Sequence, residues 1–291
     1  QEVVIFHING IWNIYTCILL FLPRSKYLKV ILSPRGMLLD SAFKIKRYKK
    51  IVAWNIYQKR LLGRVDLFHV TSEQELKSCI KYFPNTSVRK LPNIINFSEK
   101  YSSKVINKNE IFTFVFIGRI TKIKNLHYLI SSFIDTFGNN DQVQLQIYGP
   151  DLDNLTKTYK RLVRANSASN VSFHNPVYGN EKEIVIKQSH ILVLPSLSEN
   201  FGMIVAESLF LGTPVICTEN SHWTMLEDEC IGFIVSSDFC SLSNKLIKAY
   251  EMRSQLNDMG KNAREFIYKN YTPSAIARSM VDCYKHTNFE T

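Results

Sequence analysis

The stretch HILVLPSLSENFGMIVAESLFLGTPVICT, residues 190–218, holds two short apolar runs with a longer apolar segment between them. The runs at 190–196 and 214–218 are rich in Ile, Leu and Val and show little alternation with polar residues, which predicts strands buried on both faces. The segment between them ends at Gly212, with Pro214 just beyond, as helices commonly do. A strand, a helix and a second strand in succession predict a βαβ unit with parallel strands.

Strand-like runs of the same kind recur along the chain and alternate with helical patterns. Five more of them are rich in β-branched and aromatic residues, at 3–8, 29–33, 67–71, 112–118 and 143–149. Such alternation is typical of doubly wound α/β proteins, in which helices cover both faces of a parallel sheet. We therefore predict an α/β fold built from Rossmann-like, doubly wound domains.

A length of 291 residues, 45% of them hydrophobic, suits one large domain or two ordinary ones. The segment 96–110 is mostly polar and precedes a strong strand, so we predict that it links two domains. The first domain is predicted at residues 1–105, the second at 106–275, and a closing helix at 276–291. We expect the first domain to be truncated, because it opens directly on a strand and is small for a doubly wound sheet.

Positive charge is concentrated in the first third of the chain. The net charge is +11; residues 1–100 contain 17 Lys and Arg against 6 Asp and Glu, whereas 101–291 contain 19 of each kind. The densest part is KIKRYKK at 44–50, followed by YQKR at 57–60. Two interpretations stay open: a solvated helix face, or a surface of residues 44–60 that contacts anionic lipid headgroups. We predict no nucleic-acid partner, since no motif for one accompanies the charge.

Neither the cysteines nor the apolar runs predict a metal centre or a membrane span. The six cysteines lack metal-ligand spacing and indicate reduced thiols of a cytoplasmic protein. The longest apolar run, IYTCILLFL at 14–22, is far shorter than the roughly twenty residues that cross a bilayer. We predict a helix at 15–22 that packs in the core.

Two cations follow the predicted strand at 112–118. Arg119 comes directly after Gly118, and Lys124 lies a few residues further on, before a helical pattern. In open α/β sheets ligands bind at the carboxyl ends of the strands. An arginine and a lysine placed there can bind one diphosphate, although ordinary loop cations are the alternative for this segment taken alone.

The predicted helix at 201–211 offers a second anion site. Asn200 is a candidate N-cap, which leaves the amides of Phe201, Gly202 and Met203 without intrahelical acceptors. These amides carry the positive end of the helix dipole, and the glycine leaves room for a ligand.

Two glutamates flank this site. Glu199 precedes the helix start and Glu207 lies within the helix. A carboxylate can accept hydrogen bonds from two vicinal hydroxyls, so the pair suits a sugar at one end and a ribose at the other. For Glu207 alone, a surface helix glutamate is the alternative.

Two segments resemble a known family, the GT-B glycosyltransferases of family 4, which are retaining nucleotide-sugar transferases. FIGRITKIKNLHYLISSF at 116–133 is similar to that family's Gly-Arg…Lys segment, and SLSENFGMIVAESLFLGTPVI at 196–216 to its two-glutamate signature. The resemblance implies that Arg119 and Lys124 hold the diphosphate of the donor and act with Glu199 in catalysis. It also implies that the amides at 201–203, with Gly118 and Asn200, bind the donor, that Glu207 takes the ribose hydroxyls, and that no metal or cofactor is needed.

The first domain contains segments similar to those of family members in the same order: HINGIWN at 7–13, SPRGML at 33–38 and LPNIIN at 91–96. The resemblance implies that the acceptor side includes the residues His7, Asn9, Gly10, Arg35 and Gly36. For His7, a core histidine at a strand end is the alternative. Many relatives carry a histidine at the position of Arg35, which stays protonated and cannot act as a base. Relatives also have a closing helix that returns to the first domain.

The resemblance implies transfer of a sugar from a nucleotide diphosphate donor to a glycan acceptor, lipid-linked and at the cytoplasmic membrane face, in bacterial surface polysaccharide or lipopolysaccharide synthesis. Two alternatives stay open. One is an epimerase that acts on nucleotide sugars without an acceptor. The other is a truncated relative that binds the nucleotide but does not transfer.

Overall fold

The computed structural model divides the chain into two compact units, residues 1–94 with 273–291, and residues 95–272. It describes residues 3–23, 25, 27–44, 47–95, 106–138, 140–236 and 239–289. All strand pairs in both units are parallel, which confirms the predicted α/β fold. Most of the predicted linker, residues 96–105, lies outside the described ranges.

The first unit contains a four-stranded sheet in the order β1-β2-β3-β4. Its strands are β1 (Val4–Asn9), β2 (Leu28–Ser33), β3 (Leu67–Val70) and β4 (Ser87–Lys90). The first three match the apolar runs of the sequence. The fourth, SVRK, lies at the edge with mostly exposed side chains, so it carries no hydrophobic signal that predicts a strand.

Most helices of the first unit are short, and the one from the end of the chain is long. They are α1 (Ile14–Phe21), α2 (Asp40–Lys44), α3 (Arg47–Ala53), a π-helical turn (Trp54–Gln58), α4 (Lys59–Leu62), α5 (Glu73–Tyr82) and, from the end of the chain, α12 (Pro273–Phe289). Among the described residues no helix combines the length and the apolar character that a membrane span requires.

The prediction that the helix at 15–22 packs in the core is confirmed for one face only, where Leu20 belongs to the core and Cys17 and Leu19 pack against it. Within α1 only Thr16 and Leu20 are buried, whereas Tyr15 is 74% exposed and Phe21 63%. Helix α1 is apolar around most of its circumference, so the sequence carries no periodicity that shows which side is buried.

The second unit contains a six-stranded sheet in the order β10-β9-β8-β5-β6-β7. Its strands are β5 (Phe112–Ile117), β6 (Val143–Tyr148), β7 (Val171–His174), β8 (Ile191–Leu194), β9 (Val215–Thr218) and β10 (Gly232–Val235). Every residue of β5, β8 and β9 is buried, as their continuous apolar runs predict. Strand β5 pairs with β6 on one side and β8 on the other, and a crevice for ligands forms at such a switch of strand order.

Helices of the second unit are α6 (Leu126–Phe137), α7 (Thr156–Ala165), α8 (Gly179–Gln188), α9 (Met203–Phe210), α10 (Phe239–Glu251) and α11 (Leu256–Tyr271). Thr272 has an extended backbone between α11 and α12, as the residue before a proline usually does. Pro273 then opens α12 at a position where its missing amide costs no hydrogen bond.

Candidate active site

The backbone after β5 packs closely against the backbone after β6. The amide of Gly118 donates to the carbonyl of Tyr148 at 3.0 Å. A Cβ atom at Gly149 would lie 1.7 Å from the carbonyl oxygen of Gly118, so no other residue fits there without backbone movement. Arg119 follows at the carboxyl edge of the sheet with an exposed side chain, and it has no hydrogen-bond or ion-pair partner among the described residues.

Lys124 reaches the site through a tight turn. It ends a 3₁₀ turn, Lys122–Lys124, and Asn125 then adopts a left-handed conformation (φ 53°) before α6 begins. The amide of Leu197 donates to the carbonyl of Ile123 at 2.9 Å, which ties the loop after β8 to this turn. Because β5 and β8 are neighbouring parallel strands, the two loops meet at the same edge of the sheet.

Lys124 and Glu199 form an ion pair at this edge, in which the ammonium donates to Oε2 of the carboxylate. The two side chains are only 14% and 17% exposed. The backbone of Glu199 is anchored separately, by its amide to the carbonyl of Asn220 at 3.1 Å. The two charged groups have lost most of their hydration, and each compensates the charge of the other. A ligand that breaks the ion pair must therefore supply an opposite charge or hydrogen bonds in its place.

The predicted helix start at residue 201 with Asn200 as N-cap is wrong, since α9 begins at Met203. Its N-cap is Gly202, which has a left-handed backbone (φ 72°), a conformation that glycine adopts at little cost. Phe201 instead is 2% exposed and packs on Trp223, with ring centroids 5.3 Å apart. Buried packing of this aromatic side chain therefore shifts the helix start by two residues.

The free amides of the helix start shift with it. Val205 already donates to the carbonyl of Gly202 at 2.9 Å. In the part of the chain that the structure describes, the amides of Met203 and Ile204 have no acceptor. They supply the positive end of a helix directly after Glu199 and Gly202, in the loop that carries the ion pair.

Glu207 also forms an ion pair, with Lys182 of α8 at 2.5 Å between Nζ and Oε2. The side chains are 18% and 25% exposed, respectively. Sequence reasoning missed Lys182, because a lysine in the first turn of a helix is indistinguishable from a solvated one until the neighbouring helix is placed.

One Asp-x-Asp sequence, Asp151 and Asp153, occurs after β6, and such paired carboxylates are candidate metal ligands. Both carboxylates accept hydrogen bonds from backbone amides. Asp151 accepts from the amides of Leu155 and Thr156 at the start of α7, each at 2.9 Å, and Asp153 accepts from Lys122 at 2.8 Å. These contacts hold loops in place, and Asp153 steadies the turn that carries Lys124.

The first sheet carries a hydrogen-bonded chain of five groups. Tyr284 of α12 bonds Nδ1 of His7 at 2.9 Å, His7 Nε2 bonds Ser33 at 2.8 Å, Ser33 bonds Nδ1 of His69 at 2.9 Å, and His69 Nε2 bonds the carbonyl of Leu91 at 3.0 Å. The carbonyl of Leu91 can only accept, so His69 donates to it through Nε2–H. In the same direction, Tyr284 donates to His7, His7 to Ser33, and Ser33 to His69. This direction applies to neutral imidazoles, each of which carries one N–H.

Burial keeps these histidines neutral. It lowers the pKa of His69 to about 4, and it lowers the pKa of His7, with a further contribution from the charge of Arg35. Gly10, at the end of β1, has a left-handed backbone (φ 83°) and donates to the carbonyl of Ser33 at 2.8 Å. His7 is held at both ring nitrogens, by Ser33 of β2 at Nε2 and by Tyr284 of α12 at Nδ1.

Arg35 lies at the carboxyl edge of the first sheet in a left-handed conformation (φ 55°), which is uncommon for a residue other than glycine. Its Nε donates to Asn9 at 2.8 Å, and its Nη1 donates to Asn93. The amide of the following Gly36 donates to the buried carboxylate of Glu75. Three strand ends thus bring Asn9, Arg35 and Asn93 together. Asn93 lies in the segment LPNIIN that resembles the family but was not predicted as a site residue, and sequence reasoning had not singled out Glu75.

Two units of parallel strands covered by helices, with cations, acids and free amides at the edge of the second sheet, agree with the class that the sequence resembles, the GT-B glycosyltransferases. The chain belongs to the family of glycosyl transferases group 1, whose family model matches residues 97–266. This match includes both segments that carry the resemblance, 116–133 and 196–216. The fold agrees: sucrose-phosphate synthase from Thermosynechococcus elongatus superposes with a TM-score of 0.75 over 97% of this chain and 73% of its own, at 19% identity.

Two curated relatives are glycosyltransferases, one named for capsular polysaccharide biosynthesis and one for a diphosphoundecaprenol-linked acceptor. The capsular polysaccharide biosynthesis glycosyltransferase CapM of Staphylococcus aureus is 27% identical over 64% of this chain and 48% of its own length. The UDP-Gal:alpha-D-GlcNAc-diphosphoundecaprenol alpha-1,3-galactosyltransferase of Escherichia coli is 25% identical over 78% of this chain and 62% of its own. The chain thus spans about half to two thirds of the length of these relatives.

Proposed function

We propose that the protein transfers a sugar from a nucleoside diphosphate sugar to a hydroxyl of a lipid-linked glycan, with retention of the anomeric configuration and without a bound metal. The observation that carries the proposal is the Lys124–Glu199 pair beside the free amides of Met203 and Ile204. A cation and helix amides favour a diphosphate, and the carboxylate favours hydroxyls. The name of the Escherichia coli relative supports a nucleotide-sugar donor and a lipid diphosphate acceptor, and the name of CapM supports a role in polysaccharide synthesis.

Departure of the diphosphate is the step that these groups assist. The bond between the anomeric carbon and the diphosphate oxygen breaks, and its electron pair leaves with the diphosphate. Arg119, Lys124 and the amides of Met203 and Ile204 stabilise the growing negative charge. The oxygen of the acceptor hydroxyl forms a bond to the anomeric carbon on the same face from which the diphosphate departs. The proton of that hydroxyl leaves together with the nucleoside diphosphate. Glu199 accepts hydrogen bonds from the sugar.

A ligand screen tests the proposal. The purified protein is melted with UDP, GDP, ADP and their sugars, in a buffer that contains a chelator, and one nucleoside diphosphate is expected to raise the melting temperature because it binds only the folded state. The matching sugar donor is then incubated with an undecaprenyl-diphosphate-linked acceptor. No stabilisation by any nucleotide would contradict the proposal. Isomerised donor without an acceptor would indicate an epimerase, and binding without transfer would indicate a relative that only binds.

We also propose that the first unit contacts an anionic membrane through what we term the basic apolar surface, formed by α1 and the helical segment 47–60. Large exposed apolar side chains share these elements with basic ones: Ile14, Tyr15, Ile18, Phe21, Tyr48, Val52 and Ile56, with Arg47, Lys49, Lys59 and Arg60. The elements are neighbours, since Cys17 of α1 bonds Gln58 at 3.5 Å. No acidic residue occurs from 41 to 65, so the surface suits negative headgroups.

Vesicle flotation tests this surface. The protein is expected to float with vesicles containing phosphatidylglycerol and to stay behind with pure phosphatidylcholine. Replacing Ile18 and Phe21 with serine removes exposed apolar area, so binding is expected to fall about tenfold or more. The control replaces Tyr268, an exposed aromatic residue of the second unit, with serine. Equal binding to both vesicle types would contradict the electrostatic part of the proposal.

A further inference from the structure

Both glutamates of the 196–216 segment are ion-paired, each with a lysine from a different helical element. The pair of Glu199 with Lys124 belongs to the proposed diphosphate site. The pair of Glu207 with Lys182 lies elsewhere, between the second turn of α9 and the first turn of α8. No step of the proposed reaction uses Lys182, so its contact with Glu207 needs a reason of its own.

The contact leaves Glu207 able to bind a ligand. An ionised carboxylate has about four lone-pair positions on its two oxygens, and Lys182 uses Oε2 alone. Oε1 and the remaining position on Oε2 can still accept hydrogen bonds from two vicinal hydroxyls. Lys182, bonded at one oxygen, therefore fixes the orientation of the carboxylate and leaves its other hydrogen-bond positions free for a ligand.

The surroundings explain why the carboxylate needs a cation. Burial raises the pKa of the neighbouring Glu183, and Glu207 adds to this effect, while Lys187 and Lys182 oppose it. The two carboxylates thus lie close enough for their charges to interact, and the side chain of Glu207 is only 18% exposed. Loss of Lys182 would leave Glu207 next to a second acid and without its bonded counter-charge, and its side chain would turn towards solvent.

We propose that Lys182 is a positioning residue that holds the Glu207 carboxylate in the geometry that accepts both ribose hydroxyls, and so makes the enzyme prefer ribonucleotides to 2′-deoxyribonucleotides. The inference rests on the proposed function and on the role that the family resemblance implies for Glu207, which is to bind the ribose hydroxyls. Hydrogen bonds to a charged group contribute about 1.5–3 kcal/mol, which corresponds to a preference of roughly ten- to hundredfold. Without Lys182 the nucleotide still binds, but the preference is lost.

Calorimetry with UDP, 2′-deoxy-UDP, GDP and 2′-deoxy-GDP tests the proposal. The wild-type protein is expected to prefer the ribose form of its nucleotide at least about tenfold. In Lys182→Met and Lys182→Gln the ratio is expected to fall below about threefold, as in Glu207→Gln. Lys182→Arg is expected to restore most of it, because a guanidinium can bond the same oxygen. The matched control is Lys157→Met, which removes an exposed lysine from the first turn of α7.

The outcomes separate this inference from the proposed function. If the lysine variants keep the full ribose preference while Glu207→Gln loses it, the ion pair has no positioning role and the inference is overturned. If the wild-type protein binds no nucleotide, the proposed function fails as well. Melting temperatures of the unliganded variants show whether each is folded. Methionine and glutamine differ in shape, so if one of the variants Lys182→Met and Lys182→Gln is unstable, the other still tests the inference.

Discussion

The carboxyl edges of the two sheets use opposite kinds of polar chemistry. In the second unit the edge is charged: Lys124 pairs with Glu199, and free helix amides lie beside them. In the first unit no ion pair of this kind holds the described residues of the edge: His7 and His69 are uncharged, and the cation Arg35 is bonded to two neutral asparagine oxygens. Paired charges suit a diphosphate whose charge grows during reaction, whereas neutral donors and acceptors suit hydroxyls that stay neutral.

The two edges also differ in the kind of hydrogen bond that holds their loops and side chains in place. Charges in the second unit are held by backbone ties such as Leu197 to Ile123, so the loops are fixed before any ligand enters. The first unit fixes its side chains through one another, in a chain from Tyr284 to the carbonyl of Leu91. Substitutions are therefore expected to affect turnover most in the second unit and stability most in the first.

The largest effect is expected for Glu199→Gln, which removes the carboxylate and leaves Lys124 without its bonded partner. Turnover is expected to fall at least about a hundredfold, because one lost contact of this kind costs on the order of 3 kcal/mol. The measurement is transfer or, without an acceptor, slow hydrolysis of the donor. Glu227→Gln is the control, since Glu227 pairs with Lys245 but is 44% exposed. Near wild-type turnover in Glu199→Gln would contradict the catalytic role of the charged edge.

The next effect concerns stability in acid. The pKa of His69 is about 4 in the folded protein, against about 6.5 for an ordinary histidine, so below about pH 6.5 the unfolded chain binds a proton that the folded chain does not. Stability is therefore lost as the pH falls from about 6.5 to about 4, by about 3 kcal/mol for this group. Urea unfolding at several pH values measures it. His69→Gln is expected to flatten the pH dependence, and an unchanged slope would show that the histidine chain is not held neutral.

The smallest effects come from two left-handed glycines, one at each edge. Gly202→Ala and Gly10→Ala each place a Cβ on a left-handed backbone, which costs about 1–2 kcal/mol of folding free energy. At Gly202 the new atom would also lie 3.2 Å from Cγ of Glu199, whereas at Gly10 it would meet Met37. Nucleotide binding is expected to weaken only in Gly202→Ala. Equal weakening in both variants would break the distinction between the two edges.

Strong local patterns made much of the fold predictable. The continuous apolar runs of β5, β8 and β9 carry their own evidence, because strands buried on both faces need apolar residues throughout. Strands β4, β7 and β10 have four residues each and lie at or near sheet edges, so they escaped prediction. The predicted helix start at Asn200 failed because burial of Phe201 outweighed the preference of asparagine for caps.

The residues of the candidate site could be predicted from the sequence, but the contacts between them could not. Arg119, Lys124, Glu199 and Glu207 stand out because charged residues interrupt apolar segments. Nothing in the sequence pairs Lys182 with Glu207 or Tyr284 with His7, since their partners lie 25 and 277 positions away. Such pairs form only after the helices are placed against their sheets.

The sequence by itself determined the alternation of strands and helices, the family and the candidate residues, because hydrophobic periodicity and spacing are local properties of the chain. Tertiary structure alone decided that Lys124 meets Glu199, that the histidine chain is directed and neutral, and that α1 exposes its apolar side chains. The physical reason is that strand order, loop anchoring and burial depend on contacts between segments distant in sequence.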